Sequence, residues 1–183
     1  MTDQETSNPL PGHLRRAAAV RLLILDVDGV LTDGSLTYGA DGEVTKTFNV
    51  LDGLGIELLQ KTGVAVAIIS ARKSAVVVRR AADLKIQHVY QGTHDKRIAF
   101  ADLLASTGAS FEQCGYIGDD VIDLPLLRKV GFAVTVPGGH LDVRQHAHYV
   151  TVAGGGRGAV REVCDMVMRA QGNYAAALAP YSA

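Results

Sequence analysis

Short apolar runs that alternate with helical patterns constrain the fold of this chain more than any other feature. Six such runs are strand candidates, at residues 21–26, 64–70, 88–92, 114–119, 132–136 and 149–152. Helix candidates lie among them, over residues 52–63, 74–85, 95–108, 121–131 and 158–172. Strands that are apolar on both faces and alternate with helices indicate a parallel sheet covered on both sides. We therefore predict one α/β domain with a doubly wound, Rossmann-like parallel sheet.

One stretch interrupts this alternation. In LTYGADGEVTKTFNV, residues 36–50, an Asp-Gly pair separates two arms rich in strand-forming residues, which predicts a β-hairpin over 36–48. The insertion is too short to be a domain. We expect a flexible N-terminal tail over 1–19, the α/β domain over 20–172 and a C-terminal tail over 173–183.

Charge and hydropathy exclude several classes of partner. The 183-residue chain has a net charge of −1, which provides no general attraction to nucleic acid or to an anionic membrane. Residues 1–21 lack the apolar core of a signal peptide, and no apolar stretch is long enough to span a bilayer. We therefore expect a cytoplasmic protein that acts on a small molecule, with no nucleic-acid or membrane partner.

Polar side chains follow the candidate strands at the edge where ligands bind in open α/β sheets. This set comprises Asp26, Asp28, Ser70, Arg72, Lys96, Asp119, Asp120 and Asp123. Several carboxylates without a nearby His or Cys suit a hard cation such as Mg²⁺. A metal ion, Ser70 and Lys96 would together bind a phosphoryl group, whose transfer depends on positioning and charge neutralisation. The edge is thus predicted to be a phosphoryl-transfer site.

The two carboxylates after the first strand can divide the chemistry. Asp26 can attack phosphorus and form an aspartyl-phosphate, while Asp28 can protonate the leaving alkoxide and then activate water. We expect Asp26, Asp119 and the backbone carbonyl of Asp28 to hold the metal. A receiver domain gathers similar residues, but its phosphate-accepting Asp ends the third strand, where this chain has Gln91 and Gly92.

At these positions the sequence resembles the haloacid dehalogenase-like phosphatases. Their four motifs match, in order, Asp26-Val-Asp28-Gly, Ser70, Lys96 and Gly118-Asp119-Asp120. The intervals between the motifs have no room for a cap domain, as in the capless subclass. Further stretches, FNVLDG at 48–53, YQG at 90–92 and GGGRGAVREVC at 154–164, resemble the 3-deoxy-D-manno-octulosonate 8-phosphate phosphatase family from about residue 20 to 172. One departure is Ala71, where that family's pattern has glycine.

This resemblance implies a function and a set of substrate contacts. It implies Mg²⁺-dependent hydrolysis of 3-deoxy-D-manno-octulosonate 8-phosphate to the free sugar acid and phosphate, in the synthesis of a lipopolysaccharide precursor. The substrate-binding residues that it implies are Asp28, Asn49, Val50, Leu51, Asp52, Gly53, Glu57, Arg72, Arg80 and Lys96. It also implies a homo-oligomer, most simply a tetramer, in which some of these residues reach a neighbouring subunit's site.

Two alternatives remain open at the level of the sequence. Capless relatives that hydrolyse a nine-carbon acid sugar 9-phosphate share the same motifs. A non-catalytic assembly domain of the same fold is a second alternative, although a scaffold has no need of intact Asp26, Asp28, Lys96 and Asp119. The glycine-rich segment 154–158 has no following strand with which to build a dinucleotide site. The family resemblance favours a flap near the active site for this segment.

Overall fold

The predicted parallel sheet is confirmed. A computed structural model describes residues 11–182, apart from the side chains of residues 43 and 44. Its strands are β1 (Leu22–Leu25), β2 (Thr37–Gly39), β3 (Gly42–Thr45), β4 (Ala65–Ser70), β5 (His88–Gln91), β6 (Cys114–Ile117), β7 (Phe132–Thr135) and β8 (Tyr149–Val150). Six of them form one sheet in the order β5-β4-β1-β6-β7-β8, and every neighbouring pair is parallel. The chain changes direction across the sheet at β1, so a crevice opens beyond the ends of β1, β4 and β6.

Helices cover both faces of this sheet. They are α1 (Gly12–Ala19), α2 (Val50–Lys61), α3 (Ala75–Asp83), α4 (Lys96–Thr107), α5 (Leu124–Leu127), α6 (Leu141–His146), α7 (Ala159–Ala170) and α8 (Tyr174–Leu178). On one face, α1, α2, α3 and α7 pack on Leu23 and Leu25 of β1. On the other, α4, α5 and α6 pack on Leu22 and Ile24. Successive strand residues point to opposite faces, which is why β1 is apolar at every position.

The predicted hairpin is also confirmed. β2 and β3 form a separate two-stranded antiparallel sheet between β1 and α2. Gly42 in the turn has a φ of +116°, a conformation that favours glycine. The three residues of β2 are exposed. Within residues 11–182 the chain inserts nothing larger than this hairpin, so no cap domain covers the sheet edge.

The predicted tails need correction where the structure describes them. Residues 12–19 form α1, whose Ala17 is fully buried in the core, and residues 174–178 form α8, whose Tyr174 packs against the same core. Both helices, like the unpredicted α6, are too short for apolar periodicity to reveal them. Residues 1–10 of the predicted tail lie outside the described range. Across residues 11–182, no helix has the length and apolar character that a membrane span requires.

Candidate active site

A pocket lies at the carboxyl edge of the sheet, where the sequence places it. Its lining includes the predicted Asp26, Asp28, Ser70, Arg72, Lys96 and Asp119, together with Asp120 and Asp123. The parallel strands β1, β4 and β6 each deliver their last residues to the same edge, which explains how positions so far apart in sequence meet. The structure therefore brings the predicted phosphoryl-transfer residues together.

Lys96 is the cation at the centre of this pocket. It is the first residue of α4, where Asp95 caps the helix by accepting a hydrogen bond from Arg97 N. The Lys96 side chain is fully buried, and its Nζ lies 2.8 Å from Asp26 Oδ1 and 2.6 Å from Asp123 Oδ1. A buried charge is costly unless it is paired. The carboxylates of Asp26 and Asp123 therefore compensate the buried ammonium and hold it at the centre of the site.

Asp123 and Tyr116 complete the site: the sequence places Asp123 at this edge without giving it a role, and it does not point to Tyr116. Tyr116 O–H donates to Asp123 Oδ1 at 2.6 Å and accepts from Lys96 Nζ at 3.1 Å. Asp123 Oδ2 accepts from the backbone N of Asp119 at 3.0 Å. The only available signal was the position of Asp123, one turn after Asp119. Asp123 thus orients both Lys96 and the start of the acidic loop.

The acidic cluster fits a divalent cation. Asp26, Asp119 and Asp123 each offer a carboxylate oxygen, and these oxygens lie within 4.8 Å of one another. Burial, reinforced by the neighbouring carboxylates, raises the pKa of Asp26 to about 6 and that of Asp119 to about 7. Both oxygens of Asp123 already accept hydrogen bonds, so Asp26 and Asp119 are the better-placed ligands. Carboxylate oxygens without His or Cys are a donor set suited to Mg²⁺.

Gly29 allows the first loop to approach Asp119. Its φ is +89°, and a Cβ at this position would lie 2.0 Å from Asp119 Oδ2. A side chain here would therefore both strain the backbone and displace the carboxylate. The glycine after Asp28 is required because the loop following β1 must pack directly against the loop following β6.

Asp28 is held by two cations. Its Oδ1 pairs with Lys46 Nζ, and its Oδ2 lies 3.7 Å from Arg72 Nε. Arg72 Nη2 in turn donates to Tyr38 O–H at 2.9 Å. Lys46 and Tyr38 come from the hairpin segment, and neither was predicted, because sequence shows where a hairpin lies but not where its side chains point. Ser70, buried at the end of β4, accepts a hydrogen bond from Arg72 N at 3.3 Å.

The substrate-binding residues predicted at the N-cap of α2, on α2 and on α3 do not line this pocket. Asn49 caps α2 by accepting from Leu51 N at 2.8 Å, and Val50 and Leu51 are exposed. A separate hollow is lined in part by Val50, Gly53, Glu57 and Arg80. The structure thus splits the predicted residues into a phosphate pocket and a second surface.

The side chain of Asp52 is buried outside this pocket, and its substrate contact stays a prediction. Its side chain is 1% exposed, and Oδ1 accepts a hydrogen bond from Arg161 N at 2.8 Å. Burial raises the pKa of Asp52, while backbone N–H groups at the start of α7 oppose that shift. Asp52 therefore joins α2 to the N-terminus of α7, where a carboxylate is favourable.

The glycine-rich segment packs on the first loop. Gly156 N donates to Val30 O at 2.9 Å, and a Cβ on Gly155 would lie 1.8 Å from Gly29 O. Arg157 Nη2 also lies 3.3 Å from Asp33 Oδ2. The segment that sequence places near the active site thus supports the loop that carries Asp26 and Asp28.

Comparisons with known proteins agree with this geometry. A family model described as haloacid dehalogenase-like hydrolase matches residues 81–158. The 3-deoxy-D-manno-octulosonate 8-phosphate phosphatase of Salmonella typhimurium is 49% identical over 162 residues, which are 88% of this chain and 86% of that protein.

Solved structures extend the match to three dimensions. The phosphatase of the same name from Moraxella catarrhalis, in complex with a magnesium ion, a phosphate ion and a KDO molecule, has a TM-score of 0.90 at 42% identity and covers 93% of this chain and 98% of that chain. A cobalt-bound deoxy-D-mannose-octulosonate 8-phosphate phosphatase from Haemophilus influenzae has a TM-score of 0.85 at 42% identity, covering 87% of this chain and 93% of that chain. With such identity across most of its length, and with the motif residues assembled in one pocket, the chain belongs to the 3-deoxy-D-manno-octulosonate 8-phosphate phosphatase family of haloacid dehalogenase-like hydrolases.

Proposed function

We propose that this chain hydrolyses 3-deoxy-D-manno-octulosonate 8-phosphate to the free sugar acid and inorganic phosphate, with Mg²⁺ as cofactor. The observation that carries the proposal is the pocket in which Lys96 and Asp119 surround Asp26 beside Asp28. The Moraxella catarrhalis relative, whose complex contains magnesium, phosphate and KDO, supports the choice of substrate and metal.

In the first half of the proposed reaction, a carboxylate oxygen of Asp26 attacks phosphorus. The bond between phosphorus and the oxygen on C8 of the sugar breaks, and Asp28 gives its proton to that departing oxygen. Lys96, 2.8 Å from Asp26 Oδ1, favours the ionised form of the nucleophile. When bound by Asp26, Asp119 and the carbonyl of Asp28, Mg²⁺ supplies positive charge that offsets the charge of the phosphoryl group.

The second half releases phosphate. Water attacks the phosphorus of the aspartyl-phosphate, Asp28 accepts the proton of that water, and the carboxylate of Asp26 is restored. Ser70 and Lys96 stand at the pocket wall where they can donate hydrogen bonds to phosphoryl oxygens. Arg72, whose side chain is 41% exposed at the rim, is suited to an anionic group of the substrate.

The surface on α2 and α3 is proposed to act across a subunit boundary. Asn49, Leu51, Gly53, Glu57 and Arg80 would meet the sugar acid bound to a neighbouring chain of a homotetramer, as the family resemblance implies. Two features support this assembly: Val50 and Leu51 are 79% and 53% exposed, and the hairpin offers an open strand edge. Multi-angle light scattering tests it, and a fully active monomer would contradict it. The cytoplasmic location stays a prediction from the sequence.

A phosphate-release screen with Mg²⁺ tests the proposed activity. The panel should contain 3-deoxy-D-manno-octulosonate 8-phosphate, a nine-carbon acid sugar 9-phosphate and simple hexose phosphates, each assayed with and without EDTA. We expect the highest kcat/KM for the eight-carbon acid and loss of activity on chelation. Preference for the nine-carbon acid would favour the first alternative. Release from no substrate would favour the assembly domain.

A further inference from the structure

We propose that Lys46 is a positioning residue for Asp28, through which the hairpin segment orients the acid–base group of the site. The inference rests on the proposed function and deepens it, because it assigns a role to a side chain outside the four motifs. Lys46 follows the last residue of β3 and pairs through Nζ with Asp28 Oδ1.

The burial of Lys46 is the first argument. Its side chain is only 1% exposed, although it leaves a hairpin whose strand β2 is exposed at every residue. Lysines at such places normally extend their charged end into water. Burial of the ammonium is costly unless partners compensate it, and the Asp28 carboxylate is one such partner. The active-site carboxylate therefore contributes to holding this lysine inside.

The geometry around Asp28 is the second argument. Lys46 pairs with Oδ1, while Arg72 Nε lies 3.7 Å from Oδ2, so cations flank both oxygens. The backbone that carries Lys46 is anchored three residues later, where Asn49 caps α2 and its Nδ2 donates to Gly156 O at 3.4 Å. The short segment between the end of β3 and the N-cap of α2 therefore keeps the Lys46 ammonium in place. Asp28 is thereby held in one orientation, as proton transfer at a departing oxygen requires.

A direct role in binding phosphate is the competing explanation, and a double-mutant cycle separates the two. Lys46→Met and Lys46→Arg should each be made in the wild-type protein and in Asp28→Asn. Lys61→Met, at the exposed C-terminal end of α2, is the matched control. Kinetic constants are measured with the sugar acid phosphate and with 4-nitrophenyl phosphate, and unfolding midpoints are recorded for every variant.

If Lys46 acts through Asp28, Lys46→Met lowers kcat by about ten- to a hundredfold and changes KM little. Lys46→Arg recovers most of the lost kcat, because it restores a cation at Asp28. In the Asp28→Asn background, Lys46→Met has less than about a threefold further effect, since the group that it positions is already gone. Lys61→Met behaves like wild type.

Several results would overturn the proposal. If Lys46→Met lowered kcat by the same factor in Asp28→Asn as in the wild-type protein, Lys46 would be assigned to phosphate binding. A raised KM with kcat retained in Lys46→Met would lead to the same assignment. A lowered unfolding midpoint with Lys46→Arg as inactive as Lys46→Met would assign it to structure alone, and wild-type kinetics in Lys46→Met would remove any role. A wild-type protein that hydrolyses 4-nitrophenyl phosphate but no sugar acid phosphate would overturn the proposed function while leaving this cycle interpretable.

Discussion

In the proposed mechanism, Asp26 attacks an anionic phosphoryl group while it lies among other carboxylates, and Lys96 offsets part of their charge. Burial and Asp123 raise the pKa of Asp26 to about 6, while the ammonium of Lys96 opposes that shift. A carboxylate with this pKa is a better nucleophile than an ordinary aspartate and is still largely ionised near neutral pH. The buried lysine therefore serves the nucleophile as well as the phosphate.

We predict that Asp26→Asn lowers kcat by at least about a thousandfold, because an amide of nearly the same shape cannot form the covalent intermediate. The unfolding midpoint should not fall, since asparagine removes a charge from an acidic cluster. Phosphate release and differential scanning calorimetry measure the two effects. Asp83→Asn, on the exposed end of α3, is the control. Near wild-type release by Asp26→Asn would rule out the aspartyl-phosphate.

At this scale, the predictable residues are those whose position in the chain determines their position in the fold. Asp26, Ser70 and Asp119 end or follow parallel strands, so their meeting at one edge follows from the strand pattern alone. Tyr116 and Lys46 are different. From the sequence alone, Tyr116 within a buried strand is interpreted as a core aromatic residue, and Lys46 as a solvated lysine of the hairpin. Their roles depend on side-chain direction, which local sequence does not encode.

Among the elements, the hairpin contacts the active site of its own chain. Tyr38 O–H accepts from Arg72 Nη2 at 2.9 Å, which holds the guanidinium near the rim of the pocket. We predict that Tyr38→Phe raises KM for the sugar acid phosphate by about two- to tenfold, because Arg72 loses a partner that orients it. Steady-state kinetics measure this change. Tyr181→Phe, at an exposed position near the C-terminus, is the control. An unaltered KM in Tyr38→Phe would show that Arg72 keeps its orientation without the hydrogen bond to the hairpin.

α2 and α7 are joined by a buried carboxylate rather than by apolar packing alone. We predict that Asp52→Ala lowers the free energy of unfolding by about 1–3 kcal/mol, since Arg161 N loses its acceptor at the start of α7. The value of kcat should stay within about twofold of wild type, in contrast to a substrate-binding residue. Chemical denaturation and steady-state kinetics separate the two roles, with Asp83→Ala as the exposed control. A large rise in KM without loss of stability would instead support the predicted substrate contact of Asp52.

Across the whole molecule, metal binding and folding stability are linked through two carboxyl groups. The pKa of Asp26 is raised from 3.8 to about 6 and that of Asp119 to about 7. In the metal-free protein the stability associated with these groups is present at low pH and is lost as the pH rises through about 4 to 7, because the unfolded chain releases these protons earlier. Mg²⁺ should take the place of the protons.

We therefore predict that Mg²⁺ raises the unfolding midpoint more at about pH 8 than at about pH 5.5, where protons compete for the same oxygens. Calorimetry with and without Mg²⁺ at both pH values measures the difference. In Asp119→Asn most of this pH dependence should disappear. An equal Mg²⁺ shift at both pH values in the wild-type protein would contradict the assignment of these carboxylates to the metal.

The arrangement of the sheet could be predicted because its strands are apolar at every position and separated by helices. The boundaries of the domain could not. α1 and α8 are short, and they are stabilised by tertiary contacts, those of α1 with the distant α7 and those of α8 with α7 and with the distant α2. The family resemblance implies that some substrate residues reach a neighbouring subunit, but the local sequence does not show which of them line the pocket and which lie on the second surface.

The contact between the glycine-rich segment and the first loop has a consequence for synthesis of the protein on the ribosome. The loop with Asp26 and Asp28 emerges early, but β6 and then Gly155 and Gly156, which complete its surroundings, emerge much later. A nascent chain thus carries its nucleophile long before it can form a phosphate pocket. Fragments released by premature termination before β6 should be unable to hydrolyse cellular phosphate esters, so the order of the elements itself delays activity until nearly the whole domain has been made.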